Sequence, residues 1–217
     1  MTSITLKGVN KSFRENHVLR NVNAQWEGGK IYGLMGRNGS GKTVLMKLIC
    51  GFIPADSGEI CVNGKAIPPS TAIPKGIGAI IEAPGFLPQY SGYKNLRFLA
   101  DIQRKIGRDE IRLAMKQVGL NPDMRKRVGT YSLGMRQRLG FAQAIMENPD
   151  VLVLDEPFNA MDRDAMEEVH ALLRQFREAG KTILLASHSA ADIAKACDIV
   201  YEMEDGRLRR AVPAERN

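Results

Sequence analysis

Eight residues, Gly36-Arg37-Asn38-Gly39-Ser40-Gly41-Lys42-Thr43, limit what this chain can fold into. They satisfy the pattern GxxxxGK[ST] at every fixed position, and the flanks are the ones that pattern needs. Lys30 to Met35 is a short apolar run of strand length. From Lys42 onward, Val44, Leu45, Leu48 and Ile49 fall at helical spacing until Gly51 and Pro54 stop them. A strand that passes through a glycine loop into a helix is a phosphate cradle. The glycines let the backbone curl so that its N–H groups converge. The start of the helix adds the positive end of its dipole. Gly36, Asn38, Gly39, Ser40 and Gly41 are expected to wrap the phosphates. Lys42 offers a point charge to the β- and γ-phosphates, and Thr43 a hydroxyl to Mg²⁺.

A second element belongs to the same chemistry. Val151-Leu152-Val153-Leu154 is a buried-strand pattern that ends in Asp155-Glu156-Pro157. Ligands of open α/β sheets gather at the carboxyl ends of strands. Asp155 is then placed to organise a magnesium ion, and Glu156 to polarise a water near the terminal phosphate.

The rest of the chain reads as α/β. Strands are expected at Ile4 to Asn10, Val18 to Trp26, Glu59 to Val62, Ile77 to Ile81, Lys181 to Ser187 and Ile199 to Met203. Helices are expected around Met166 to Phe176 and Ala190 to Cys197. Alternation of strands and helices predicts a mixed, largely parallel sheet, with an antiparallel β portion near the N-terminus. Between Ser91 and Met146 the texture changes. Asn95 to Ile106 and Asp109 to Val118 read as helices, and strand signals fade, so a helical subdomain is inserted there. The expected organisation is a single domain, 1–217. Residues 1–85 and 148–217 form the core, and about 86–147 the helical subdomain.

Charge follows the same division. Residues 97 to 138 hold 11 basic and 4 acidic residues, which accounts for the whole net charge of +7, while the remainder balances at 20 of each sign. Such a segment suits a solvated helical surface, or a face for nucleic acid, anionic lipid or an acidic partner. No run approaches the ~20 apolar residues of a membrane span, and the N-terminal residues lack the layout of a signal peptide. The chain is expected in the cytoplasm. Cys50, Cys61 and Cys197 include no CxxC pair and read as small hydrophobes.

Tyr131-Ser132-Leu133-Gly134-Met135-Arg136-Gln137-Arg138-Leu139 precedes the Asp155–Glu156 strand and resembles the signature motif of ABC ATPases, usually LSGGQ. With the phosphate loop, the acidic strand end and a later strand-end histidine, the resemblance covers nearly the whole chain. It is nearest to the ATPase subunits of bacitracin- and lantibiotic-type exporters. It implies a head-to-tail dimer, of one chain or of two related ones, with two ATP molecules between subunits, and separate transmembrane permease subunits as partners. The chain would then sit on the inner face of the cell membrane. Ser132 also stands where a helix N-cap belongs, so the signature is a second anion-binding helix end. Residue by residue, the resemblance implies that Phe13 stacks on adenine, that Ser132 and Gly134 meet the partner's nucleotide, that Asp162 of Asn159-Ala160-Met161-Asp162 faces the dimer seam, and that His188 senses the γ-phosphate. Glu82 replaces the usual glutamine of the Q-loop and is expected to reach Mg²⁺ or the water. Phe158 replaces the common Thr or Ser and has no explanation in the sequence. An ABC ATPase acting on nucleic acid or the ribosome is the alternative, although this chain has neither a second ATPase domain nor a long coiled-coil insertion. A small-molecule kinase would leave the signature segment unexplained.

Overall fold

The computed structural model describes residues 3–68 and 74–211. Met1 and Thr2, the start of the N-terminal segment considered above, lie outside them. In chain order the elements are β1 (Ser3–Phe13), β2 (Asn16–Glu27), β3 (Lys30–Met35), α1 (Lys42–Ile49), β4 (Ser57–Val62), β5 (Lys65–Ala66), β6 (Ile77–Ile80), α2 (Gly92–Gln103), α3 (Arg108–Gln117), α4 (Leu133–Ile145), β7 (Val151–Asp155), α5 (Arg163–Glu178), β8 (Thr182–Ala186), α6 (Ala190–Ala196), β9 (Ile199–Glu204) and β10 (Arg207–Arg210). One sheet is antiparallel, in the order β2-β1-β4-β5. The other has six strands, β10-β9-β3-β8-β7-β6, all neighbours parallel except the β9–β10 hairpin.

Side-chain alternation explains why both faces of the larger sheet are covered. Along β7, Val151 and Val153 enter one buried cluster, and Leu152 and Leu154 the other. Along β8, Leu184 and Ala186 join the first pair, Ile183 and Leu185 the second. Successive strand residues point to opposite faces, so a strand buried on both sides reads as continuously apolar. The first cluster fills the space between this sheet, α1 and the antiparallel sheet, with Trp26 and Leu45 fully buried. The second runs from α5 through the sheet into α2, α3 and α4, joining Leu173, Ile183, Leu96, Met115 and Leu139. The helices inserted between β6 and β7 therefore extend one face of the main core.

Most expected elements are present, with shifted ends. The second expected strand runs from Asn16 to Glu27, the last but one from Thr182 to Ala186. The helix read as Asn95 to Ile106 is α2, three residues earlier, because the Ser91 hydroxyl accepts from the Lys94 N–H (3.3 Å) and Arg104 turns left-handed at φ 53°. Strand β10 is an addition. Its residues, Arg-Leu-Arg-Arg, have no apolar alternation, and pairing with β9 creates the strand. A 3-10 turn at Val128–Thr130 is likewise new. Among the described residues no helix is long and apolar enough to cross a membrane. The cysteines are free, and burial pushes the Cys50 and Cys197 thiols up to about 12, which leaves them as inert packing groups.

Candidate functional site

The glycine loop joins the end of β3 to α1, and its helix starts at Lys42 because Gly41 occupies the N-cap at φ 108°. A Cβ on Gly41 would lie 2.9 Å from Leu19 Cδ2 and 3.0 Å from the Val18 carbonyl. Both conformation and contact with β2 thus call for glycine there. Lys42 is nearly buried, and its Nζ donates to the carbonyls of Gly36 (2.6 Å) and Arg37 (3.1 Å), closing the loop on itself. The Ser40 hydroxyl is buried without a hydrogen-bond partner among the described residues. Buried polar atoms rarely stay unpaired, so a loop that presents one fits an anionic ligand that accepts from it.

Asp155 ends β7 beside this loop. Thr43 Oγ1 donates to its Oδ2 at 2.6 Å. Burial holds the Asp155 carboxyl above the usual carboxylate range; the Thr43 hydrogen bond and Lys42 oppose that, while the charges of Glu156 and Glu82 add to it. Asn38, Gly39, Gly41, Lys42, Thr43, Asp155 and Glu156 line one cleft of about 460 Å³, together with Val18 and Val44 of the flanking elements.

Glu156 takes a left-handed conformation, φ 48°, and its N–H donates to Ala186 O at 2.9 Å. That turn brings its carboxylate to the end of β8. Oε1 accepts from the His188 N–H (2.9 Å) and lies 2.9 Å from His188 Nδ1; Oε2 accepts from the Ser187 hydroxyl (3.3 Å). A carboxylate has about four acceptor positions, so capacity remains for a water. His188, placed by resemblance alone, is thus joined directly to Glu156.

Other expected site residues stand outside the cleft lining. Phe13 is half-exposed at the end of β1, with Lys11 Nζ 5.3 Å from its ring centre. Glu82, left-handed at φ 60°, pairs with Lys47 at 2.7 Å. Ser132 caps α4, its hydroxyl accepting from Met135 N–H at 3.2 Å, and Asp162 caps α5, accepting from Ala165 N–H at 2.8 Å. These two helix starts lie together: a Cβ on Gly134 would come within 3.0 Å of the Ala160 carbonyl. Neither shares the phosphate loop's cleft within this chain.

Sequence reasoning missed several partners. Gln137 Nε2 donates to Pro157 O (3.0 Å), tying the signature helix to the segment after Glu156. Phe158 is buried and stacks on His170 of α5, centroids 4.5 Å apart and planes 29° apart. Burial lowers the His170 pKa, which favours the neutral ring. Phe158 is therefore a packing residue under the turn that carries Glu156. The helix expected around Met166 to Phe176 contains His170, but nothing in its sequence points to that ring as the one Phe158 meets. A second, larger cleft of about 490 Å³ lies elsewhere, between the end of α1, β6 and the C-terminal ends of α2 and α4, lined among others by Phe52, Lys75, Leu99 and Ile102.

A phosphate loop, an acidic strand end and a capped signature helix on this two-sheet frame make up an ATP-binding cassette. The ABC transporter family profile matches residues 19–159, and the chain belongs to that family as an ATP-binding subunit with ATPase activity. It is 41% identical over 205 residues to the ABC transporter ATP-binding protein YybJ of Bacillus subtilis, covering 94% of each chain. The bacitracin transport ATP-binding protein BcrA of Enterococcus faecalis is 36% identical over 207 residues, 94% of this chain and 67% of that protein. The lantibiotic transport ATP-binding protein SrtF of Streptococcus pyogenes is 31% identical over 205 residues, 94% and 88% of the two chains. Among solved structures, a bacterial ABC transporter cassette in dimeric form matches with a TM-score of 0.86 at 22% identity, covering 98% of this chain and 100% of that one. The fold is shared with it.

Proposed function

We propose that this chain hydrolyses Mg–ATP in a head-to-tail dimer, of two copies or of one copy and a relative, and powers export of a peptide, antibiotic or lipid-like substrate through separate permease subunits. The observation that carries the reading is the convergence of Lys42, the Thr43–Asp155 pair and the Glu156–His188 pair at one cleft. Lys42 and the loop N–H groups hold the phosphates. Among the described residues no group of three or more acidic, histidine or cysteine side chains is arranged to hold a metal ion by itself. A divalent cation would rest on the Thr43 and Asp155 oxygens and on phosphate, an arrangement that suits Mg²⁺. Glu156 orients and polarises the attacking water, held in register by Ser187 and His188. Phe13 stacks on the base. Ser132, Gly134 and Asp162 serve the partner's nucleotide, which is why their helix ends stand apart from the cleft in one chain. We read residues 1–217 as a single ABC ATPase domain, with core and helical subdomain divided as the sequence suggests.

The names of the relatives support a peptide-antibiotic cargo. We assign the permease contact to the face carrying Phe52, Phe98 and Ile102, apolar side chains exposed by 44%, 38% and 77%, since exposed apolar patches mark interfaces. On this reading the chain sits on the inner face of the membrane.

Glu156→Gln tests the reading. Hydrolysis should fall by about 10²- to 10⁴-fold, the contribution of a positioned base, while ATP binding persists and light scattering shows an ATP-dependent dimer. Unchanged turnover removes Glu156 from its role, and a persistently monomeric ATP complex removes the dimer.

A further inference from the structure

Glu82 carries a charge where the family's Q-loop usually has a neutral glutamine, so this chain has one more carboxylate near the phosphates. The burial-raised pKa of Asp155 already registers the charges of Glu156 and, more weakly, of Glu82. The structure shows what balances it. Lys47 Nζ lies 2.7 Å from Glu82 Oε1, and this is the hydrogen bond found for that carboxylate among the described residues. Lys47 is on α1, four residues after Thr43. Residues i and i+4 share a helix face, about 6 Å apart along the axis. Glu82 follows β6 and turns left-handed, which carries its side chain across to that helix. One carboxylate therefore pairs with an ammonium on the helix that also carries Thr43, and its charge is felt at Asp155.

Resting on the ATPase reading above, we propose that Lys47 is a positioning residue for Glu82: it neutralises and tethers the glutamate one turn beyond Thr43, and it competes for it with the divalent cation that accompanies ATP. A glutamine at this place would carry no charge for a lysine to neutralise. In this chain, exchange of Glu82 between the two cations makes its position depend on the metal. The pair is partly solvated, with side-chain exposures of 29% and 63%, so the coupling is modest, about 2- to 5-fold in a dissociation constant, the range of exposed ion pairs.

The test is a double-mutant cycle on the full chain, with ATP affinity measured by calorimetry at low salt for the wild type, Lys47→Gln, Glu82→Gln and the double variant. Each is titrated with ATP in the presence of Mg²⁺ and again in EDTA. Any lysine attracts the triphosphate whatever stands at position 82, and that direct term cancels in the cycle. With Mg²⁺, loss of Lys47 should weaken ATP binding about 2- to 5-fold less in the wild-type background than in the Glu82→Gln background, because the released glutamate gains the metal. In EDTA the two losses should agree. Lys47→Arg should behave as wild type. Equal losses in both backgrounds with Mg²⁺, or the same coupling with and without it, overturns the competition. Lys42→Ala separates the levels: if the wild type binds ATP and Lys42→Ala does not, a flat cycle sinks the Lys47 assignment alone. If the wild type does not bind ATP, both readings fall.

Discussion

Asp155 shows how a single residue trades stability for function. Its carboxyl is raised first by burial, so ionisation is less favourable in the fold than in the unfolded chain. The sign follows from linkage: the destabilisation is fully present above the folded pKa and disappears below the unfolded one. Asp155→Asn keeps an acceptor for Thr43 and removes the charge. Its melting temperature at neutral pH, without nucleotide, should exceed that of the wild type, and the difference should vanish in acid, while Mg²⁺-dependent ATP affinity is lost. A melting temperature equal to or below wild type at neutral pH would contradict this. Glu82→Gln should keep nucleotide binding and change turnover or its coupling to transport; a variant that no longer binds ATP would count against that. Phe158 has a different kind of role. Removing a buried ring costs about 3–5 kcal/mol, so Phe158→Ala should unfold at markedly lower urea. A midpoint near wild type would mean that the stack on His170 carries little of the packing.

At the level of elements, two helix starts differ in cap and surroundings. The start of α1 is capped by a glycine and faces the cleft; that of α4 is capped by Ser132 and lies against the Ala160 turn. Ser132→Ala removes an N-cap and should lower the unfolding free energy of the chain by about 1 kcal/mol. If Ser132 serves only as a cap, ATP-dependent dimerisation of the Glu156→Gln chain should survive its removal. We expect dimerisation to be lost, which size-exclusion chromatography will read. Gln137 adds a mechanical link, since its bond to Pro157 O joins α4 to the turn that carries Glu156.

For the whole molecule, continuity of the core matters most. One buried cluster runs from α5 through the six-stranded sheet into α2, α3 and α4, and it includes Leu152 and Leu154 of the strand that ends in Asp155. The exposed Phe98 and Ile102 on α2 lie at the outer edge of that unit. Ile102→Glu should leave ATP binding by the isolated chain unchanged and abolish co-purification with the membrane subunit. Retained co-purification would move the contact elsewhere. Arg97–Asp101 and Arg112–Asp123 pair within the basic segment, while Arg138–Glu168 and Lys105–Glu147 set part of its excess against acidic residues outside it. Arg125, Lys126 and Arg127 remain exposed.

What the amino-acid order determined by itself was local: the glycine loop between strand and helix, the carboxylates closing an apolar strand, the serine heading the signature helix. Each is written within about ten consecutive residues, where backbone preference and side-chain period act directly. Tertiary structure alone decided the partners. Lys47 meets Glu82 across 35 positions, Gln137 reaches Pro157 across 20, and His188 meets Glu156 across 32. Phe158 gained a meaning only when α5 brought His170 beneath it, and β10 became a strand only by pairing with β9. Contacts of that kind arise from the packing of whole elements, and no periodicity in the chain announces them.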